Sequence, residues 1–163
     1  MRIKMEKIRV VLNVVLTIIV VCVCSLAALN YFSAPERAGL MGYRGYTVIS
    51  GSMEPTLHVG DYIIIKDKPY ADIQKGTIIS FRQDNVLVTH RVVAREGDKL
   101  QTRGDHNNVN DLVEVTAENY VGTYQFRIPQ LGRIMLWLQD PMIYSIIMAV
   151  IALRIAILLI LKK

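Results

Sequence analysis

The feature that most restricts this sequence is the placement of its apolar residues at the two ends. Residues 10–32 carry no charge, and their clearly polar side chains are Asn13, Thr17, Ser25 and Asn30. At 1.5 Å per residue such a helix is long enough to cross about 30 Å of hydrocarbon. The stretch is therefore predicted to be a transmembrane helix. A cleavable export signal would instead have an apolar core of about 7 to 15 residues leading into a small-x-small site. Here the small-residue exit at Ser33-Ala34 has Phe32 just before it and Pro35 just after, so the segment is expected to stay in place as an anchor. Residues 142–161 form a second apolar run, interrupted by Arg154 and followed by Lys162 and Lys163. A second span is predicted there. An arginine at a helix centre costs about 2.5 to 3.5 kcal/mol on insertion scales, and Arg154 is expected to snorkel toward the C-terminal interface.

A net charge of +5 invites a nucleic-acid reading, but its distribution argues against one. Residues 33–141 hold 12 Lys and Arg against 13 Asp and Glu, so the middle of the chain is close to neutral. The excess sits at Arg2, Lys4, Lys7 and Arg9 before the first run and at Lys162 and Lys163 after the second. That is the positive-inside pattern for two cytoplasmic ends, which puts the middle region outside the cytoplasm. Both cysteines, Cys22 and Cys24, fall in the first apolar run, so the exported region has no disulfide to form.

Between the runs, residues 33–45 carry Pro35, Gly39, Gly42 and Gly45, a composition suited to a juxtamembrane connector. Short β-type runs follow at 46–49, 62–65, 77–81, 86–93, 99–102 and 121–128. Turns are predicted at Gly60-Asp61, Lys75-Gly76, Asp84-Asn85, Gly97-Asp98 and Gly104-Asp105. No helix is predicted among them. The expected fold class is mostly β: an antiparallel domain over 46–138, flanked by transmembrane helices at 10–32 and 142–161, with short cytoplasmic ends at 1–9 and 162–163. Just before the second run, Arg127, Gln130 and Arg133 mix with Ile128, Leu131 and Trp137. Such a mixture suits a membrane interface, and Trp137 suits either that interface or the domain core.

The string SGSMEPTL at 50–57 sets Ser50 and Ser52 around a glycine at the end of a β run. A serine there can be presented at a strand end, but it is a nucleophile only with a base in hydrogen-bond reach. His90 is the best candidate for that base. Strand alternation puts it on the apolar face with Val88 and Val92, while Thr89 and Arg91 face the other way. The bland alternative is a core histidine bonded to a carbonyl. His58 and His106 sit in polar turns, and no metal-ligand spacing is present. Asp105 and Asp111 lie on a loop rich in Asn and Gly. One of them can orient a histidine, although an Asx-rich turn is the usual meaning of such composition.

In order along the chain, SGSMEPTL, Gly60-Asp61, GTIISF at 76–81, THRVV at 89–93 and TRGDHNNVND at 102–111 resemble the successive boxes of type I signal peptidases. The resemblance covers roughly 46–138. A histidine precedes Arg91 where the common bacterial branch carries lysine, so the sequence is similar to the ER-type (Ser/His) branch. With a predicted span on each side it looks most like the SipW-type bacterial members. His106, between Asp105 and Asn107, departs from the pattern. The resemblance implies a signal-peptidase-like β domain, Ser52 as nucleophile and His90 as base. It implies Asp105 and Asp111 as the acidic pair, with Asp111 first choice for orienting His90, and Ser50 as a hydroxyl that joins the Ser52 backbone N–H at the oxyanion. It also implies secretory preproteins as substrates, the lipid bilayer as surroundings, and neither cofactor nor metal. Two other readings fit parts of the sequence: a self-cleaving repressor-like Ser/Lys protease, and a noncatalytic tethered β domain serving binding or assembly.

Overall fold

The computed structural model describes residues 2–32, 39, 41–84 and 86–161. Most of the expected connector, Asn85 of the Asp84-Asn85 turn, and Lys162 and Lys163 lie outside them. The elements are α1 (Arg2–Phe32), β1 (Tyr43–Thr47), β2 (Tyr62–Lys66), a single 3-10 turn (Tyr70–Asp72), β3 (Ile78–Gln83), β4 (Val86–Glu96), β5 (Lys99–Arg103), β6 (Tyr120–Ile128), α2 (Leu131–Gln139) and α3 (Pro141–Leu161). They divide into two compact units, Phe32–Ile134 and a helical unit of Met1–Tyr31 with Met135–Lys163.

In the first unit, all six strands form one antiparallel sheet in the order β1-β2-β6-β3-β4-β5. Both faces of this sheet are covered, which explains why β3 reads as a nearly continuous apolar run rather than an alternating one. One core cluster holds Met53, Leu57, Ile63, Ile65, Ile78 and Val121, with Tyr46 and Leu87 packed on it. The other holds Ile73, Ile79, Phe81, Val92, Leu100 and Val115, with Val88 packed on it. Strand alternation thus sends Ile78 and Leu87 to one side and Ile79, Val88 and Val92 to the other.

Turn chemistry fixes the strand ends. Glu96 pairs with Lys99 across the β4–β5 hairpin, leaving Gly97-Asp98 as its two-residue loop. Gly97 has φ +60°, which glycine adopts without a Cβ penalty. Asp61, 1% exposed, anchors the turn before β2. Its carboxylate accepts the backbone N–H of His58 at 3.0 Å and Nη1 of Arg127, on β6, at 2.5 Å. A buried carboxylate requires such partners.

Two elements differ from the sequence expectation. The first strand is Tyr43–Thr47, earlier than 46–49. Gly45 hid it, because glycine reads as a connector residue. Yet a Cβ at Gly45 would lie 2.6 Å from the Tyr62 hydroxyl, so the close pairing of β1 on β2 needs glycine there. The other is α2, a helix where none was predicted. Leu131, Met135 and Leu138 are its less exposed apolar side chains, at helical spacing. Trp137 is 70% exposed, which removes the core-packing alternative for it.

Within the helical unit, Arg154 of α3 is tied to α1. Its Nη2 donates to the Asn13 carbonyl at 3.0 Å and to the Thr17 hydroxyl, both on α1. A guanidinium carries only donors, and these two oxygens meet it as acceptors. Among the described residues no single helix is long and apolar enough to cross a membrane. Asn13–Ala28 is a shorter apolar helix, and Leu131–Gln139 with Pro141–Ala152 passes only as a pair bent by 71°.

Candidate active site

The chain leaves β1 through Val48 and turns sharply over 50–57, where Glu54 N–H donates to the Gly51 carbonyl and Leu57 N–H to that of Met53. Met53 and Leu57 are buried at 2% and 0% exposure and pin this turn to the core. Ser52, immediately before Met53, is held partly exposed at its rim. The Ser50 and Ser52 hydroxyls lie 3.3 Å apart.

His90 stands on β4 opposite Ile79, in a T-shaped pair with the Phe81 ring and only 7% exposed. This is the face that alternation assigns it. Its Nε2 lies 3.1 Å from Ser52 Oγ and its Nδ1 2.7 Å from Asp111 Oδ2. An ionised carboxylate only accepts, so Nδ1 carries the proton and Nε2 turns a lone pair toward the serine hydroxyl. That is the tautomer a general base needs.

Asp111 is itself tightly held. Thr102 Oγ1 donates to its Oδ2 at 2.6 Å, its N–H donates to the Thr102 carbonyl at 2.9 Å, and Gln101 Nε2 donates to its carbonyl at 2.6 Å. Burial acts to raise its pKa, but hydrogen bonds from His90 and Thr102 outweigh burial and hold the carboxyl below its ordinary 3.8. It therefore remains an anion at neutral pH.

The second aspartate of the expected pair has other partners. Arg91 donates through Nε to Asp105 Oδ1 at 2.8 Å and through Nη2 to Oδ2 at 2.6 Å, a bidentate fork. Thr56 adds a bond to Oδ2 at 2.5 Å. The Arg91 hydrogen bonds lead in holding the Asp105 carboxyl below 3.8, against the opposing effect of burial. The loop so fixed reaches the Ser52 backbone: His106 N–H donates to the Ser52 carbonyl at 2.9 Å, and a Cβ on Gly104 would come within 2.5 Å of that same oxygen. Asp105 is thus placed to shape the turn rather than to touch the imidazole. Sequence reasoning did not single out Thr102, Gln101, Arg91 or Thr56. The available signal was Thr102 on a strand face that alternation turns inward, since a polar side chain on a buried face needs a partner.

Beside Ser52 and His90 lies an open cleft of about 310 Å³, lined by Tyr46, Val48, Met53, Leu87 and Thr89 among others. Its walls are the end of the β1 arm and the start of β4. Among the described residues β5 pairs with β4 only from Arg91 onward, so the preceding residues of β4 have no strand partner on that side, a place an extended chain can take.

The family model described as signal peptidase, peptidase S26, matches residues 8–131. The chain belongs to that family. This peptidase is a serine endopeptidase, and its relatives include both bacterial and eukaryotic enzymes. Signal peptidase I W of Bacillus subtilis (strain 168) is 35% identical over 130 residues, which span 74% of this chain and 68% of that protein. The signal peptidase complex catalytic subunit SEC11 of Lachancea thermotolerans is 30% identical over 109 residues, 57% of this chain and 64% of that protein. Human SEC11C is 37% identical over 71 residues, 39% of this chain and 37% of that protein. The peptidase thus spans less than two thirds of the SEC11 proteins it matches. Similarity to these subunits agrees with the ER-type branch, in which histidine stands where the common bacterial branch has lysine.

Proposed function

We propose that this peptidase removes signal peptides from secretory preproteins through an acyl-enzyme formed on Ser52. The observation that carries the reading is the unbroken relay from Ser52 Oγ to His90 Nε2 at 3.1 Å and from His90 Nδ1 to Asp111 at 2.7 Å, beside a cleft open to an extended chain. His90 takes the hydroxyl proton as Ser52 attacks the scissile carbonyl, then delivers it to the leaving amine. Asp111 holds the imidazole in its tautomer and balances the transient imidazolium. The Ser52 N–H and the Ser50 hydroxyl stabilise the oxyanion, a donation worth about 100- to 1000-fold in rate per donor. Water then attacks the ester, with His90 again as base, and frees the carboxyl-terminal end of the signal peptide. Purified full-length chain in detergent is expected to cut a synthetic preprotein at one bond, after small side chains at the third and first positions. Cleavage at scattered bonds, or none, would contradict the reading.

The apolar ends act as two membrane spans in this proposal, with both termini cytoplasmic and the peptidase domain outside. The support is the cluster of basic residues at Arg2, Lys4, Lys7, Arg9, Lys162 and Lys163 against a near-neutral middle. Reporters fused to either end should register the cytoplasm, and protease added to intact protoplasts should reach only the middle domain. A C-terminal reporter found outside would remove the second span.

A further inference from the structure

Tyr46 on β1 and Thr89 on β4 belong to strands that are not neighbours, since β2, β6 and β3 lie between them in the sheet. Their side chains nevertheless meet. The Tyr46 hydroxyl bonds to the Ser80 hydroxyl and lies 3.1 Å from Thr89 Oγ1, and Ser80 Oγ lies 2.9 Å from Thr89 Oγ1. The three hydroxyls close a ring. One O–H each is enough for every member to donate once and accept once around it. Ser80 is completely buried, and a ring satisfied in this way resists rearrangement, because opening it strands the Ser80 hydroxyl out of water.

The ring's position matters more than its stability. Tyr46 begins the arm that runs through Val48 and Ser50 to Ser52, and Thr89 immediately precedes His90. Both residues also line the cleft beside the nucleophile. Among the described residues, the ring is a side-chain tie between the nucleophile's arm and the base's strand that lies outside the Ser52–His90 contact itself and on the opposite face of β4 from His90. We propose that Tyr46 is a positioning residue for the reaction: the Tyr46–Ser80–Thr89 ring sets the spacing of the two cleft walls and with it the Ser52–His90 register. This inference rests on the Ser52–His90 reading above. Burial pushes the Tyr46 phenol from 10.0 up to about 12, so the ring keeps its protons throughout the neutral range.

A misplacement near 1 Å can cost about 100-fold in rate when reacting groups must be aligned. Tyr46→Phe, in the full-length chain and on the synthetic preprotein, should lower kcat about 10- to 100-fold while KM changes less than about twofold. Thr89→Val should give the same split, Thr89→Ser should restore near-normal kcat, and the double variant Tyr46→Phe with Thr89→Val should be little worse than either single one, because the two act through one ring. Thr89→Val serves equally should Tyr46→Phe fail to fold. Normal kcat in both single variants, a change confined to KM, or effects that multiply in the double variant would overturn the proposal. Ser52→Ala in the same assay separates the two ideas. Retained cleavage there would sink the nucleophile assignment, whereas its loss beside a normal Tyr46→Phe would sink only the positioning role.

Discussion

Ser52→Ala is expected to reduce cleavage on the order of 10⁶-fold, to background, while the protein still folds. The size follows from the proposed relay. His90 and Asp111 have no proton to move without the Ser52 hydroxyl 3.1 Å from Nε2, so the three groups are lost as a unit rather than one by one. The fold is spared because Ser52 is not part of either core cluster, and its carbonyl, which accepts from His106, is unchanged by the substitution. Accumulation of full-length protein with no cleavage of a preprotein substrate is the expected result. Turnover within about tenfold of the unaltered chain would place the nucleophile elsewhere.

Asp111→Asn is expected to cost roughly 10⁴ in kcat, the effect seen when an amide replaces the carboxylate of such a relay. An amide nitrogen facing Nδ1 donates where the carboxylate accepted, which favours the tautomer with its proton on Nε2, facing Ser52. That tautomer has no lone pair for the serine proton. Substrate binding should change little, since Asp111 faces Thr102 and His90 and not the cleft. Asp105→Asn should behave differently. It weakens the Arg91 fork and the Thr56 bond and so loosens the loop that supports the Ser52 carbonyl, with a smaller loss in rate and a lower melting temperature. A steady-state comparison of the two variants distinguishes orienting from shaping. Equal losses would contradict the separation of roles.

The sequence carried the sheet well because alternation on β4 is strong. Val88, His90 and Val92 fall on one face and Leu87 and Thr89 on the other, and the core clusters divide accordingly. It carried the roles of the aspartates less well. Asp105 and Asp111 share one Asx-rich loop, and nothing local distinguishes them. What does distinguish them is distant in sequence: Thr102 turns inward from β5 to hold Asp111, while Arg91, facing away from His90, captures Asp105. The start of β1 was hidden for a similar reason, because Gly45 looks like a linker until the Tyr62 ring that demands it is seen. The Tyr46–Ser80–Thr89 ring has no sequence signature at all, since it depends on a sheet curled enough to bring non-adjacent strands together.

Trapping the covalent intermediate tests the nucleophile assignment most directly. Full-length chain in detergent would be mixed with an ester-linked analogue of the cleavage region, whose fast acylation lets the intermediate accumulate in a burst, then quenched in acid and mapped by proteolysis and mass spectrometry. The acyl group is predicted on the peptide containing Ser52, at near-stoichiometric yield, and absent from Ser52→Ala. An acyl group on any other residue, or undiminished turnover of the ester by Ser52→Ala, would contradict it.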